Sequence, residues 1–200
     1  MIFGDKNIYA IEVHHKPLDN GPFYMAGRLC IHLFNIEFGD INEEDCSLAE
    51  PYMRLNEIIN NFDLIKYDFK LNNDYDIFHF FDHELYVGDD YGKWGFLDKE
   101  YYNKIKWKEL EGKEINKKLY KYDFMTNEGE MFNNTKSFIY MDIKEIIHIL
   151  FQVHDDMDEI RCNKINKNIF YNISSEFIEW YEETEKNKVI QVTTSHNQTA

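Results

Sequence analysis

Two apolar runs separated by a loop dominate the opening of the chain. Residues 8–13 (IYAIEV) and 23–34 (FYMAGRLCIHLF) are rich in β-branched and aromatic side chains, which suit a pleated, half-buried surface. Between them Pro17, Asp19, Asn20, Gly21 and Pro22 supply turn residues and two positions of fixed φ. The pattern predicts a β-hairpin with a long connection. In the second run Phe23, Met25, Gly27, Leu29, Ile31 and Leu33 share one face, and Tyr24, Ala26, Arg28, Cys30, His32 and Phe34 share the other. Only the first set is cleanly apolar, as expected for a sheet with one buried side. Phe3-Gly4-Asp5 and Phe38-Gly39-Asp40 bracket this unit, Val87-Gly88-Asp89 echoes them later, and all three read as turns.

Beyond the hairpin the period changes. Ser47 with Glu50 has the form of a capping box, and Leu48, Tyr52, Leu55, Ile59 and Phe62 recur at helical spacing, which predicts a helix with Arg54, Glu57 and Asn61 on its solvent face. Residues 64–71 alternate and predict a strand, Asn72-Asn73-Asp74 a turn, and residues 77–87 a further strand. Residues 99–110 fit a helix stopped by Gly112, and residues 119–124 alternate again. Residues 136–141 and 146–153 predict a hairpin turning at 142–145, although the second segment also suits a helical period. Ser174 fits an N-cap, with Phe177, Trp180 and Tyr181 on the apolar face of a last helix. The sum is an α+β fold: a single domain over residues 1–192, with an antiparallel β-sheet opened by the N-terminal hairpin and at least two helices packed on one face. Residues 193–200 read as a polar, frayed tail.

Composition narrows the function more than the fold. With 200 residues, 44% of them hydrophobic and 16% aromatic, the chain can bury a substantial core. Its net charge is −15, and residues 1–100 hold 20 of the 37 acidic side chains against 8 of the 22 basic ones. That sign opposes binding to phosphate backbones and to anionic membranes, and it suits a basic protein partner. Cys30, Cys46 and Cys162 match no zinc spacing or disulfide framework and read as reduced thiols in the cytoplasm. Charged Asp5 and Lys6 interrupt the N-terminus, so no signal peptide is expected, nor is any membrane span.

The most enzyme-like feature is His79-Phe80-Phe81-Asp82-His83. On a helix its two histidines share a face and could hold zinc beside Asp82 or Glu84, which makes a small metal-dependent hydrolase the alternative function. On the strand predicted here they stand about 13 Å apart, too far for one ion. His14, His15 and His32 could also meet across the first hairpin. Phosphate loops, nucleophile elbows and dinucleotide fingerprints are absent from the sequence, and no catalytic residue, metal ligand or cofactor is assigned. For a binding protein the useful residues are acids beside aromatics, because charge steers a partner while buried rings anchor it. Three groups qualify: Glu43, Glu44 and Asp45; Asp89, Asp90, Tyr91 and Trp94; and Asp155, Asp156, Asp158 and Glu159. An acidic nucleic-acid-mimic adaptor would share this composition, and self-association through a sheet edge is left open.

The order Ile2-Phe3-Gly4-Asp5, then Tyr9-Ala10-Ile11-Glu12, then a Gly27-containing strand ending in Phe38-Gly39-Asp40, resembles the opening of the bacterial immunity protein 42 family, which is encoded beside polymorphic toxins. Tyr9 stands where phenylalanine is expected. The resemblance spans the first forty residues and implies a cytoplasmic protein that binds and neutralises one cognate toxin, with no chemistry of its own.

Overall fold

The computed structural model describes residues 1–16, 25–42, 46–67, 71, 73–82, 85, 119–126, 130–133, 135–153 and 159–197. In chain order these form β1 (Ile2–Asp5), β2 (Tyr9–Lys16), β3 (Ala26–Leu33), β4 (Ile36–Phe38), β5 (Cys46–Ser47), α1 (Ala49–Asn60), α2 (Asp74–Asp82), β6 (Thr135–Met141), β7 (Ile146–Val153), β8 (Arg161–Asn166) and α3 (Lys167–Asn197). The fold is α+β and every strand pairing is antiparallel. The strands divide between two sheets: β1-β2-β3-β4 with β5 also on β3, and β6-β7-β8.

The N-terminal hairpin forms as the pattern predicts, in register from Tyr9 opposite Leu33 to Lys16 opposite Ala26. Phe3-Gly4-Asp5, a turn on sequence, is instead the strand β1, which pairs with β2 from Ile2 opposite Glu12 to Asp5 opposite Tyr9. The turn lies one step later, where the Asp5 carboxylate accepts the Asn7 N–H at 2.9 Å. Gly4 has φ +92°, and a Cβ there would run into the Tyr9 carbonyl oxygen, so only glycine suits this strand. Leu29, Ile31 and Leu33 are fully buried as expected, but Cys30 and His32 on the opposite face are buried too. Glu12 makes that tolerable for His32, because its carboxylate binds His32 Nε2 at 2.9 Å and Lys6 Nζ at 2.5 Å across β2 and its neighbours.

Helical spacing correctly gives α1, whose Leu55 and Ile58 enter the core. Arg54, read as solvent-facing, is only 4% exposed. Its guanidinium donates to the carbonyl oxygens of Asp123 (2.9 Å) and Lys121 (2.6 Å) and pairs with Glu57 at 2.6 Å, tying α1 to the 120–123 segment. Over their described residues, three predicted strands are not strands. Phe62–Ile65 and Tyr120–Tyr122 are 3-10 turns, touching β6 through single bridges at Lys66–Met141 and Asp123–Phe138, and Asp74–Asp82 is helix α2. The missed signal for α2 is Asn73, which is not a plain turn residue. Its side-chain oxygen accepts the Asp76 N–H at 2.7 Å while its Nδ2 donates to the Asp76 carboxylate at 2.6 Å, a reciprocal cap. The helix predicted at 99–110 lies outside the described residues.

The β6–β7 hairpin settles the ambiguity at 146–153 in favour of strand. Its turn is fixed by Asp142, whose carboxylate accepts the N–H groups of Lys144 and Ile146. Strand β8 was not foreseen: in RCNKIN only Ile165 is fully buried, so the alternation is carried by one residue. Helix α3 follows it directly at Lys167, which places Ser174 inside the helix and not at its cap. Ser174 Oγ lies 3.1 Å from the Tyr9 hydroxyl, which explains how tyrosine is accommodated at a fully buried position. Phe170 stacks on Tyr9 (5.1 Å), Phe177 and Trp180 meet Phe3, and Tyr181 stacks on Tyr52 of α1 (4.1 Å). Phe38 joins the sheets, lying 5.5 Å from Phe151 of β7 and 5.4 Å from Phe132. No helix among the described residues is long and apolar enough to cross a membrane.

His79 sits inside α2, 3% exposed and edge-on to Tyr75 and Phe78. Burial pushes its pKa down to about 4 from 6.5. The unfolded chain therefore takes up this proton first, so the contribution is fully present above pH 6.5 and is lost as the pH falls towards 4. Urea midpoints are expected to drop by the equivalent of about 3 kcal/mol over that interval, and His79→Phe should flatten this part of the profile.

Candidate functional site

Of the acidic residues in the three candidate partner-binding groups, Glu159 alone lies among the described residues. It is exposed, and its carboxylate holds the Arg161 guanidinium at 2.9 Å. Glu43, Glu44, Asp45, Asp89, Asp90, Tyr91, Trp94, Asp155, Asp156 and Asp158 lie outside them. Their described anchors are nevertheless informative. The first group follows Asn42, whose N–H is held by the Asp40 carboxylate at 2.7 Å. Asp40 in turn donates its N–H to the Met131 carbonyl at 2.8 Å, and the carbonyl of the next residue, Phe132, accepts the Thr135 hydroxyl at 2.9 Å. Thr135 pairs across the sheet with Val153, after which the third group begins. The second group lies beyond Asp82, the last residue of α2, and Asp82 is ion-paired with Lys136, the residue next to Thr135. The described residues that precede the three groups, Asn42, Asp82 and Val153, are thus linked to one another through residues 131–136.

The same contacts redefine the histidine motif. Because residues 74–82 are helical, the spacing argument against His79 and His83 sharing a face does not hold. Other facts decide against a catalytic pair with Asp82: His79 is enclosed between aromatic rings, and Asp82, 1% exposed, carries the Lys136 ion pair that pins the helix end. His83 lies outside the described residues. His14 and His32 do meet, through the shared Glu12 carboxylate at 3.2 and 2.9 Å. The Lys6 ammonium, with the two histidines, holds that carboxyl well below its usual range, at about 2, despite partial burial. This is a structural clasp that joins β2, β3 and the turn between β1 and β2.

A second polar cluster lies at the other end of β6–β7, and sequence spacing gave no hint of it. Asp74 from the first turn of α2, His148 from β7 and Cys162 from β8 place one carboxylate oxygen, one ring nitrogen and one sulfur within 4.8 Å of one another. The Tyr140 hydroxyl donates to Asp74 at 2.9 Å and lies 2.8 Å from His148 Nδ1, while His148 Nε2 is 3.2 Å from the Asp142 carboxylate. Burial pushes the Cys162 thiol up to about 12, and the Asp74 carboxylate adds to the effect. Burial also works against ionisation of Asp74, but Tyr140, Cys162 and Lys164 together hold it below the usual carboxylate range.

Among the described residues the clusters of acids and histidines mostly serve packing in an antiparallel α+β fold. The chain belongs to the immunity protein 42 family, whose model matches residues 1–180, so the likeness seen in the first forty residues extends over nearly the whole chain. Among solved structures it is similar to CdiI from Burkholderia dolosa, with a TM-score of 0.59 at 11% identity, covering 90% of this chain and 99% of that one. That likeness is one of fold. No curated protein matches the chain.

Proposed function

We propose that this protein neutralises one cognate toxin by forming a stoichiometric complex in the cytoplasm, without catalysis, and that its acidic groups at 43–45, 89–94 and 155–159 meet a basic surface of that toxin. Family membership supports the immunity role. The observation that carries the choice of surface is the convergence of the three anchors, Asn42, Asp82 and Val153, through Asp40–Met131, Asp82–Lys136 and the Thr135–Val153 pair. A net charge of −15 adds long-range attraction for a basic partner and works against nucleic acid.

Co-expression with the product of the neighbouring toxin gene tests the role: the host survives and a one-to-one complex co-purifies. Survival without any complex, or no survival, would sink the reading. Association should slow as salt rises, because exposed charges are screened beyond about 8 Å at physiological ionic strength. Replacing Asp89 and Asp90 together by lysine is expected to slow association about tenfold at low salt, measured by stopped-flow or surface plasmon resonance. An unchanged rate removes that segment from the interface.

A further inference from the structure

Asp74, His148 and Cys162 come from three elements and meet near the turn that joins β6 to β7. We propose that these three side chains form a binding site for a divalent, borderline-soft metal ion of the zinc type. The donor atoms are already spaced for it. His148 Nδ1 lies 3.8 Å from Asp74 Oδ1 and 3.9 Å from Cys162 Sγ. Donors around a tetrahedral zinc, with bonds of about 2.0–2.3 Å, stand about 3.5 Å apart, so closure needs shifts of a few tenths of an ångström. A mixed oxygen, nitrogen and sulfur set favours zinc over calcium or magnesium, which demand oxygen alone.

The surroundings are those of a supported site. Asp142 on the β6–β7 turn faces His148 Nε2 at 3.2 Å and would hold the ring proton there once Nδ1 binds a metal ion. Tyr140 stacks its ring on the His148 imidazole at 4.4 Å, and Tyr67 packs on Tyr140 at 4.8 Å, which gives the site an aromatic wall. The Tyr140 hydroxyl lies 2.9 Å from Asp74 and 2.8 Å from His148, and it would exchange those contacts when an ion enters. Lys164 Nζ lies 3.6 Å from Asp74 Oδ2, but that side chain is half exposed and can swing into solvent. Two of the ligands sit on paired strands, with Leu150 opposite Cys162 and His148 opposite Lys164, so their separation is fixed by the sheet. The third sits on a capped helix start. This inference does not depend on toxin binding.

Cobalt titration of the chelator-treated full chain tests it. One equivalent of Co2+ should give a thiolate-to-metal charge-transfer band with tetrahedral d–d bands, and Zn2+ should displace it. Cys162→Ser should abolish the charge-transfer band while circular dichroism stays unchanged. Asp74→Asn should weaken binding at least tenfold, and Cys30→Ala and Cys46→Ala should each leave it intact. Absence of the band in the unmodified protein, or its survival in Cys162→Ser, would overturn the proposal. If Cys162→Ser does not fold, Asp74→Asn, changed at the partly exposed first turn of α2, decides: unaltered affinity overturns the site.

Discussion

Phe138→Ala is expected to lower the free energy of unfolding by about 4 kcal/mol, the range seen when a fully buried aromatic ring is truncated in a core that cannot close over the gap. Phe138 is 0% exposed at the centre of β6. Its ring lies 5.1 Å from Phe78 and 5.5 Å from Phe81, the two α2 residues through which that helix seats on the sheet. Collapse into the cavity is opposed at both ends of α2, by Asp74 bonded to Tyr140 and by Asp82 paired with Lys136. Urea unfolding checks it: the midpoint should fall with little change in slope, whereas a changed slope would mean that two-state unfolding itself was lost. Domains hold only about 5–15 kcal/mol in reserve, so this variant should also show reduced accumulation in cells.

Arg54→Ala should cost about 3 kcal/mol, and its cause is polar. The guanidinium satisfies the buried carbonyl of Asp123 and the half-buried carbonyl of Lys121, and truncation leaves both without that donor at the contact between α1 and the 120–123 segment. The ion pair with Glu57 contributes little by comparison, because the Glu57 side chain is 54% exposed. Glu57→Gln should therefore change stability by less than about 1 kcal/mol. Equal losses for the two variants would show that the ion pair, and not the carbonyl contacts, holds this junction.

Arg54 also illustrates why the sequence misled. A charged residue off the apolar stripe of a helix ordinarily faces water, and nothing local reveals that two carbonyls from far along the chain wait for it. Short alternating segments failed for a related reason. In residues 119–124 the sequence alternates but the burial does not: Tyr120 is 48% exposed while Tyr122, Asp123 and Phe124 are all buried, as a 3-10 turn followed by one bridge residue allows. Residues 77–87 were read by β-propensity while the reciprocal cap at Asn73 announced a helix. Strand β8 was invisible because a polar edge strand buries almost nothing. By contrast, the β2–β3 and β6–β7 hairpins were legible, since each combines a long β-rich run with local pairing across one connection.

By itself the sequence determined the α+β class, both hairpins, helix α1, the acidic balance, and, through Gly4-Asp5, Glu12, Gly27 and Gly39-Asp40, the family. These are features carried by local period, by composition, or by backbone positions that tolerate one residue type: Gly4 at φ +92°, and Gly27, where a Cβ would stand 2.7 Å from the His14 carbonyl oxygen. Tertiary structure alone decided the split into two sheets, the burial of Arg54 and His79, the links that join Asn42, Asp82 and Val153, and the meeting of Asp74, His148 and Cys162. Each of those depends on contacts between segments far apart in the chain, and the free energy of such contacts is settled only when the helices and sheets pack.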